Sequence, residues 1–476
     1  MTSPLWTSDA LLDGTGGTLF DHAHPLAPVH GIAIDSRDCS AGDLFVALGG
    51  ERQDGHEFIQ QAVTAGAAAC LVSRPDKNLP IAQIVVDDPL AGLTHLAKSS
   101  RGRFTGKMVG ITGSVGKTGS KDMLAHALAG IGTTHASTRS FNNHIGVPVS
   151  LASLPANDDF AVQEMGMNAA GEIAVLSDLA RPDVALITRI ANTHGGFFAT
   201  LDDIAAAKAE IFNGLGNGGI AVLNRDDQYY HYLCAAALQA GAAQIISFGQ
   251  HDAAEFALIE ARQQANGTFI RARINGEELT FTIAMHGAHW ALNALGVLAS
   301  IAALGLPVND AAASLATCPT PQGRGGRIAG IYQGSAVTLI DDSYNASPAS
   351  MAAAFTSMSH TPPHIMVLSE MLELGDGTHD AHAALPAQIN ALKPRLVIAL
   401  GGAMHDILPA LDHPIASFAA NNTAAAMAAI DNAITSGDRI FIKGSLGSGS
   451  WRVRDAILAG FTPQTTSKNG GSCHAA

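Results

Sequence analysis

The sequence predicts an α/β protein built from parallel sheets and crossover helices. Short apolar strand segments alternate with helical segments along most of the chain, which is typical of parallel sheets. One of these strands runs directly into a glycine-rich loop, a junction that α/β domains use to bind phosphate. Apolar residues make up 47% of the 476 residues and charged residues 14%, so the chain can bury several cores. At this length roughly three domains are expected.

The first predicted domain, residues 1–104, is a compact α/β unit. A helical segment, Phe58–Ala65, separates its apolar segments. The predicted strands are Gly31–Ile34, Leu44–Val46, Ala69–Val72 and Ile84–Val86.

The second predicted domain, residues 105–317, contains a parallel sheet with crossover helices. Its predicted strands are Met108–Ile111, Phe160–Gln163, Val184–Thr188 and Ile220–Leu223. The Pro- and Gly-rich stretch Cys318–Arg327 separates it from a third domain, 318–462. That domain has predicted strands at Ala336–Ile340, Ile365–Leu368, Leu396–Leu400 and Arg439–Ile442. The tail, 463–476, is rich in Thr, Ser, Gly and Asn without apolar periodicity, so we expect it to be disordered.

Composition excludes several classes of protein. A formal charge of −14 argues against a nucleic-acid partner, which needs a basic face. The five cysteines are scattered, so reduced thiols in the cytoplasm are expected. The N-terminus lacks the pattern of a secretory signal. The apolar stretch Ala291–Leu306 is shorter than the roughly 20 residues of a membrane span and is predicted to be a buried helix.

The glycine-rich loop lies in the segment Lys107–Ser120 and ends in Gly-Lys-Thr. Gly113 and Gly116 let backbone N–H groups surround a polyphosphate, Lys117 can reach the outer phosphates, and the Thr118 hydroxyl can hold Mg²⁺. Five residues separate Gly110 from Gly116, where the common phosphate loop has four. A plain turn is the alternative interpretation, because Gly-Lys-Thr also occurs by chance.

Polar residues follow three strands of the predicted central sheet. Lys117 and Thr118 follow the first strand, Glu164 ends the second and His194 follows the third. Ligands of open parallel sheets lie beyond the carboxyl ends of the strands, so this edge would bring together a phosphate loop, a carboxylate and an imidazole. Glu164 is a plausible Mg²⁺ ligand and His194 a less usual one. Alternatively, Glu164 starts a helix and His194 is an ordinary loop histidine.

Lys208 falls on the apolar stripe of a predicted helix, Asp203–Phe212. Ile204, Lys208 and Ile211 are spaced i, i+4 and i+7, which places the lysine inward. One interpretation is that its stem packs while its amine reaches water. The other is a functional lysine near the phosphates, with or without a chemical modification.

Together these motifs resemble the Mur ligases, the ATP-dependent amide-forming enzymes of peptidoglycan precursor synthesis. The resemblance covers residues from about 20 to 460 and includes the five-residue loop spacing. In the first domain it rests on segments 35–37, 42–48 and 54–58. In the central domain it rests on 110–118, 141–143, 145–148, 164–168 and 207–212. In the last domain it rests on 323–325, 341–346, 373–375 and 443–445.

Two motifs favour the branch of the family that adds D-alanyl-D-alanine. These are Phe-Asn-Asn-x-Ile-Gly-Val-Pro from Phe141 and Asp-Asp-Ser-Tyr-Asn-Ala from Asp341. The Asp-Asn-Pro-Arg motif usual in the diaminopimelate-adding branch is not found. The resemblance implies a UDP-binding first domain, a phosphate-loop ATPase domain and a Rossmann-like domain for the amino substrate. The substrates would be UDP-N-acetylmuramoyl-tripeptide and D-alanyl-D-alanine, and the protein is expected to be a monomer.

The resemblance also implies site residues. Catalytic roles fall to Lys117, Glu164, His194 and Lys208, and nucleotide binding to Gly113, Ser114, Gly116, Lys117, Thr118, Asn293, Arg324 and Asp342. Two Mg²⁺ ions would be held by Thr118, Glu164, His194 and Lys208, the last in carbamylated form. Substrate contacts are expected from Ser36, Arg37, Asn142, Asn143, Asn345, Ser347 and Lys443.

The sequence departs from the family pattern at three places. Gly195 and Gly196 follow His194 where a hydrophobic residue and Glu are common, so a carboxylate is missing from the metal edge. Trp290 replaces a usual Asn, and Leu446 replaces Arg or Asn. Two alternatives therefore stay open. One is a ligase of the same superfamily that adds diaminopimelate, lysine or glutamate, and the other is a phosphate-loop protein that binds nucleotide without ligation.

Overall fold

The predicted α/β class is confirmed by a computed structural model. It describes residues 3–20, 24–50, 53–137, 141–191, 198, 200–216, 218–264, 266–359 and 361–463. Within these ranges the strands form sheets of five, nine and seven strands, which occupy residues 18–85, 107–283 and 326–463. The domain boundaries set from the sequence stay predictions.

The N-terminal unit is a five-stranded sheet in the order β1-β5-β4-β3-β2. Strands β2 to β5 are parallel, and β1 pairs antiparallel with β5. The strands are β1 Thr18–Leu19, β2 Gly31–Ala33, β3 Asp43–Val46, β4 Ala69–Val72 and β5 Ala82–Val85. The helices are α1 Ser8–Thr15, α2 Ile59–Ala65 and α3 Pro89–Arg103.

The N-terminal unit is fastened to the central unit by buried side chains that donate to backbone carbonyls. The indole of Trp6 donates to the carbonyl of Ala152 at 2.9 Å, and the Ser100 hydroxyl donates to that of Leu154 at 3.1 Å. Both acceptors lie at or just after the end of a helix of the central unit, Gly146–Ala152. Buried hydrogen bonds of this kind fix the two units relative to one another.

The central unit is a nine-stranded sheet in the order β14-β13-β12-β11-β10-β9-β6-β8-β7. Its strands are β6 Lys107–Thr112, β7 Thr134–Ala136, β8 Phe160–Glu164, β9 Val184–Ile187, β10 Ile220–Asn224, β11 Gln244–Gly249, β12 Phe256–Gln264, β13 Gly267–Ile274 and β14 Glu277–Ile283. Its helices are α4 Lys117–Ala129, α5 Gly146–Ala152, α6 Glu172–Ala180, α7 Leu201–Ala209, α8 Tyr230–Gln239, α9 Ala288–Ala303 and α10 Val308–Ser314.

Strands β6 to β12 are parallel, but β12, β13 and β14 form an antiparallel meander. The parallel sheet predicted from the sequence is confirmed for β6 to β12, whereas the antiparallel edge was not predicted. Helix α9 packs across the sheet and is buried along most of its length, as predicted for the apolar stretch near Ala291. Among the described residues, no helix has the length and hydropathy needed to cross a membrane.

The C-terminal unit is a seven-stranded sheet in the order β19-β18-β17-β20-β16-β15-β21. Its strands are β15 Gly326–Tyr332, β16 Ser335–Asp342, β17 Ile365–Ser369, β18 Leu396–Leu400, β19 Ala416–Ala420, β20 Asp438–Lys443 and β21 Phe461–Pro463. Its helices are α11 Pro348–Met358, α12 Thr378–Ala383, α13 Leu385–Leu392, α14 Gly402–His405, α15 Thr423–Ala433 and α16 Ser450–Ala459. Pro463 ends a paired strand; the rest of the tail predicted to be disordered, 464–476, lies outside the described residues.

Candidate functional site

The glycine-rich loop connects β6 to α4 in a conformation that requires its glycines. Gly113 has φ 147° and Gly116 has φ 88°, values that residues with a Cβ rarely adopt. A Cβ on Gly113 would lie 2.0 Å from Oγ1 of Thr188, and one on Gly116 would lie 2.7 Å from Oδ1 of Asn293. The loop therefore packs directly against the end of β9 and against helix α9.

The end of β9 braces this loop through hydrogen bonds. The Ser114 N–H donates to the Arg189 carbonyl at 2.7 Å, and the Thr188 hydroxyl donates to the Val115 carbonyl at 2.6 Å. These bonds satisfy polar groups of the loop from outside it and hold the loop against the residues that follow β9.

Two residues at the end of β10 form hydrogen bonds with the backbone that follows β9. Asn224 Nδ2 donates to the Thr188 carbonyl at 3.1 Å, and Asp227 Oδ2 accepts from the Ile190 N–H at 2.6 Å. Neither residue was predicted from the sequence. The signal used for Glu164 applies to them as well, because Asn224 ends and Asp227 follows a strand that finishes at the same edge of the sheet.

Lys117 is the first residue of α4, and its side chain folds back over the loop. Its Nζ donates to the Gly113 carbonyl at 2.6 Å. Burial lowers the pKa of Lys117, nearby Arg324 lowers it further, and Glu164 opposes both. An anionic ligand would reverse this balance, because an opposite charge stabilises the protonated amine.

Glu164 ends β8 and is 1% exposed. Its Oε1 accepts from Asn142 Nδ2 at 2.8 Å, whereas Oε2 has no hydrogen-bond partner within the described part of the chain. The neighbouring Asn143 does not share this contact. Its Oδ1 accepts from the Gly146 N–H at 2.8 Å and so caps the start of α5.

Lys208 lies on α7 with its side chain fully buried, as the helical spacing predicted. Its Nζ has no hydrogen-bond partner among the residues described. Burial holds its pKa well below the ordinary value; Lys117 lowers it further, while Glu210 and Glu164 oppose the shift. The interpretation in which the amine reaches water is therefore wrong, and Lys208 lies within electrostatic range of the phosphate-loop lysine and the buried carboxylate.

His194 and the two glycines after it lie outside the described residues. The predicted imidazole contribution to this edge, and the effect of Gly195 and Gly196, therefore stay predictions. Among the residues that the structure does describe, no cluster of three or more His, Cys, Asp or Glu side chains could hold a metal ion. A metal here would depend on fewer protein ligands, together with substrate oxygens.

Arg324 reaches from the linker before the C-terminal sheet to the phosphate-loop helix. Its Nη2 donates to the Thr118 hydroxyl at 2.9 Å, and its guanidinium lies 4.5 Å from the centre of the Tyr344 ring. The aromatic face supports the cation. Arg324 thus brings a positive charge from one unit to the phosphate loop of another.

A buried ion pair lies at the carboxyl ends of β16 and β20. Lys443 Nζ donates to Asp342 Oδ2 at 2.7 Å and to the Asn345 carbonyl at 2.9 Å. Burial raises the pKa of Asp342, although Lys443 opposes the shift. Ser347 lies close by in sequence, but its hydroxyl caps α11 by accepting from the Ser350 N–H.

The two substrate residues predicted in the N-terminal unit follow β2. The Ser36 hydroxyl donates to Gln61 Oε1 at 2.9 Å. Arg37 pairs with Asp35 at the surface, with 84% of its side chain exposed. Both lie apart from the phosphate loop.

One cavity of about 610 Å³ joins the central unit, the linker and the C-terminal unit. The predicted residues that line it are Ser114, Gly116, Lys117, Thr118, Asn142, Glu164, Asn293, Arg324, Asp342, Asn345 and Lys443. Gly113, Lys208, Ser36, Arg37, Asn143 and Ser347 are not part of its lining. Lining residues that the sequence analysis left out include Thr188, Arg189, Asn224, His286 and Tyr344. Burial, with a smaller contribution from Arg327, lowers the pKa of His286 to about 4, so its ring is neutral at pH 7.

The cavity can hold a polyphosphate next to a second, non-nucleotide substrate. Cations from Lys117 and Arg324 meet at the loop, which suits charge that develops on a transferred phosphoryl group. The Lys443 and Asp342 pair lines the same cavity and offers both signs of charge to a substrate.

Three family models match the chain in order. A Mur ligase catalytic domain matches residues 28–99, a Mur ligase middle domain matches 111–301, and a Mur ligase glutamate ligase domain matches 326–446.

Curated relatives named UDP-N-acetylmuramoyl-tripeptide–D-alanyl-D-alanine ligase align with most of the chain. The Bacillus subtilis protein is 37% identical over 81% of this chain and 83% of its own length. The Escherichia coli protein is 34% identical over 79% and 82%, respectively. A crystal structure of MurF from Acinetobacter baumannii has a TM-score of 0.81 at 28% identity and covers 95% of this chain and 99% of its own.

Proposed function

The chain belongs to the Mur ligase family, and on that basis we propose that it joins D-alanyl-D-alanine to UDP-N-acetylmuramoyl-tripeptide in an ATP-dependent reaction. The products are the UDP-linked pentapeptide, ADP and phosphate, and the reaction belongs to peptidoglycan precursor synthesis. The observation that carries the proposal is the single cavity in which the phosphate loop, Arg324 and Lys443 face one another.

The reaction must activate a carboxylate, which is a poor electrophile at neutral pH. In the proposed mechanism a carboxylate oxygen of the tripeptide attacks the γ-phosphorus of ATP, and ADP leaves. The amine of D-alanyl-D-alanine then attacks the acyl phosphate carbon, loses a proton, and expels phosphate. Lys117 and Arg324 stabilise the charge on the transferred phosphoryl group, a contribution typically worth about 3 kcal/mol for each group.

We assign Mg²⁺ to the edge formed by Thr118 and Glu164. The fit rests on Glu164 Oε2, a buried carboxylate oxygen without a hydrogen-bond partner in the part of the chain described, and oxygen is the ligand that Mg²⁺ prefers. When bound, Mg²⁺ would neutralise phosphate charge. Asn142 orients the carboxylate by donating to its other oxygen. His194 and a second ion stay part of the proposal.

We assign Lys208 a carbamate. Burial holds the pKa of this amine well below its ordinary value, which favours the neutral, nucleophilic form. The amine attacks CO₂ and loses one proton, which gives a carbamate anion. The carbamate oxygens can then act as ligands, whereas the unmodified Nζ has no hydrogen-bond partner among the described residues. This modification would explain why a lysine lies on the buried face of α7.

The two remaining substrates are assigned to opposite ends of the molecule. Lys443 and Asn345 would contact D-alanyl-D-alanine. Asp342 keeps its predicted role as a nucleotide contact and pairs with Lys443. Ser36 and Arg37 would contact the UDP portion, and the exposed Arg37 guanidinium could exchange its surface partner Asp35 for phosphate. Asn143 and Ser347 keep capping roles and would act on substrates indirectly. The monomeric state and the cytoplasmic location stay predictions.

The decisive experiment is a coupled ligation assay with ATP, Mg²⁺ and D-alanyl-D-alanine. It is run with UDP-tripeptides that carry either meso-diaminopimelate or lysine at the third position. Pentapeptide formed with one of them supports the proposal and identifies the peptide. If nucleotide binds but neither tripeptide is extended, the ligase function fails and a non-ligating nucleotide-binding protein is favoured. Phosphate release only with a different amino substrate would indicate another Mur-type ligase.

A further inference from the structure

Helix α9 meets the phosphate-loop helix α4 at two glycines that are one turn apart. A Cβ on Gly119 would lie 2.4 Å from Cζ3 and 2.7 Å from Cη2 of Trp290. A Cβ on Gly116 would lie 2.7 Å from Oδ1 of Asn293. Residues spaced i, i+3 share one face of a helix, so each helix presents a matched pair to the other. A methyl group at Gly119 does not fit without movement of the ring or the loop.

The backbone gives no reason for glycine at position 119. Gly119 lies inside α4, outside the set of residues with positive φ, and glycine inside a helix is less stable than alanine there. The indole of Trp290 supplies the reason. Trp290 is 5% exposed and packs into the core of the central unit, so its ring has little room to move away.

We propose that Trp290 is a positioning residue for the nucleotide. Its ring lies against the bare backbone of Gly119 and sets the distance between α4 and α9. That distance places Asn293 against Gly116 and so fixes the orientation of the loop N–H groups toward phosphate. Trp290 and Asn293 both line the cavity beside Lys117. This inference rests on the proposed use of ATP and adds a residue to the same site.

The test is Gly119→Ala, which adds one methyl group at the contact. We expect ADP affinity, measured by titration calorimetry, to fall by about tenfold, equivalent to about 1.4 kcal/mol. The KM for ATP should rise by a similar factor while kcat changes less. The matched control is Gly130→Ala at the other end of α4, where the new Cβ has its nearest contact at 3.4 Å. This control should bind ADP like the wild type.

A second variant separates positioning from general stability. In Gly119→Ala combined with Trp290→Leu, the shorter side chain leaves room for the new methyl group, and ADP affinity should return toward the wild-type value. Tryptophan emission of the Gly119→Ala single variant reports in addition whether the buried indole has moved.

The outcomes separate the inference from the function on which it rests. If Gly119→Ala lowers Tm but binds ADP as tightly as the wild type, Trp290 is only a packing residue and the inference is overturned. A folded double variant with no recovered affinity overturns it as well. Wild-type protein that binds no ADP would instead contradict the proposed ligase function.

Discussion

At the residue scale, two buried side chains of this site lower the stability of the fold and serve its chemistry. Glu164 Oε2 and Lys208 Nζ are buried polar groups without a hydrogen-bond partner in the described ranges, and such groups cost roughly 1–3 kcal/mol each, more when charged. Natural proteins tend to break the rule of paired polar groups at functional sites. The two side chains also influence one another electrostatically. Their unpaired state is therefore what a site prepared for further oxygen ligands would show.

Lys208→Ala removes the proposed carbamate and should lower ligase activity by at least about 10²-fold, the loss typical of one catalytic electrostatic group. Short carboxylic acids such as acetate can enter the space that is left and supply the missing oxygens. We therefore expect partial recovery of pentapeptide formation with added carboxylate. Lys107→Ala is the matched control, because Lys107 is an exposed lysine of the same unit that pairs with Asp183. Full activity of the Lys208→Ala variant without any added acid would remove Lys208 from the site.

The depressed pKa of Lys208 also makes a prediction for stability in bicarbonate-free buffer. The unfolded chain protonates this lysine up to its ordinary pKa, about 10.4, whereas the folded protein resists protonation. The unfolded state therefore binds more protons between the two pKa values, so stability rises with pH across that window. Lys208→Met should have a higher Tm than the wild type at pH 7, and the difference should shrink as pH approaches 10. A constant difference across this range would contradict the prediction.

At the scale of elements, the buried parallel strands were predictable because they are continuous apolar runs. Strands β4 and β18 match the sequence prediction at both ends, and β6 and β8 extend it by one or two residues. The antiparallel meander was missed although its turn is encoded locally. Asn275 and Gly276 both have positive φ, as a two-residue hairpin requires, and Asn-Gly is the strongest short signal for such a turn.

The sequence did not show which residue of a motif contacts the site and which one stabilises the start of a helix. Asn142 bonds the site carboxylate, whereas Asn143, the next residue, caps a helix. Lys443 lies on the cavity wall, but Ser347 is committed to the start of α11. The motif shows which residue types lie near the site. Which of these side chains reaches the cavity depends on where the next helix starts, because a polar residue at that point accepts from backbone N–H groups instead.

The brace from β10 can be tested against an adjacent residue. Asp227→Ala removes the acceptor for the Ile190 N–H and should destabilise the protein by about 1–3 kcal/mol. Because Ile190 directly follows Thr188 and Arg189, which hold the phosphate loop, we also expect weaker ADP binding. Asp226→Ala is the matched control, since Asp226 accepts from the N–H groups of Gln250 and His251 in a different loop. Both variants should lower Tm, and ADP affinity should fall for Asp227→Ala alone; equal affinities would exclude the brace.

At the scale of the whole molecule, the linker before β15 is hydrogen-bonded to the C-terminal unit and moves together with it. Asp341 accepts from the Gly323 N–H through Oδ2 at 2.9 Å and from the Gly325 N–H through its carbonyl at 2.7 Å. Arg324, held between these two bonds, therefore moves with the C-terminal sheet. Its bond to Thr118 exists only while the central and C-terminal units are close together.

This arrangement predicts that Arg324 links catalysis to domain closure. Wild-type protein should become more compact in small-angle scattering when a non-hydrolysable ATP analogue and UDP-tripeptide are added, because phosphate bound to the central unit gives Arg324 an anionic partner beside the Thr118 hydroxyl. Arg324→Ala should show less compaction and a kcat lower by about 10²-fold. Arg452→Ala is the matched control, since Arg452 stacks on Trp451 away from the cavity. If Arg324→Ala becomes as compact as the wild type, Arg324 is not needed for domain closure. If the wild type itself does not become more compact, domain closure is contradicted.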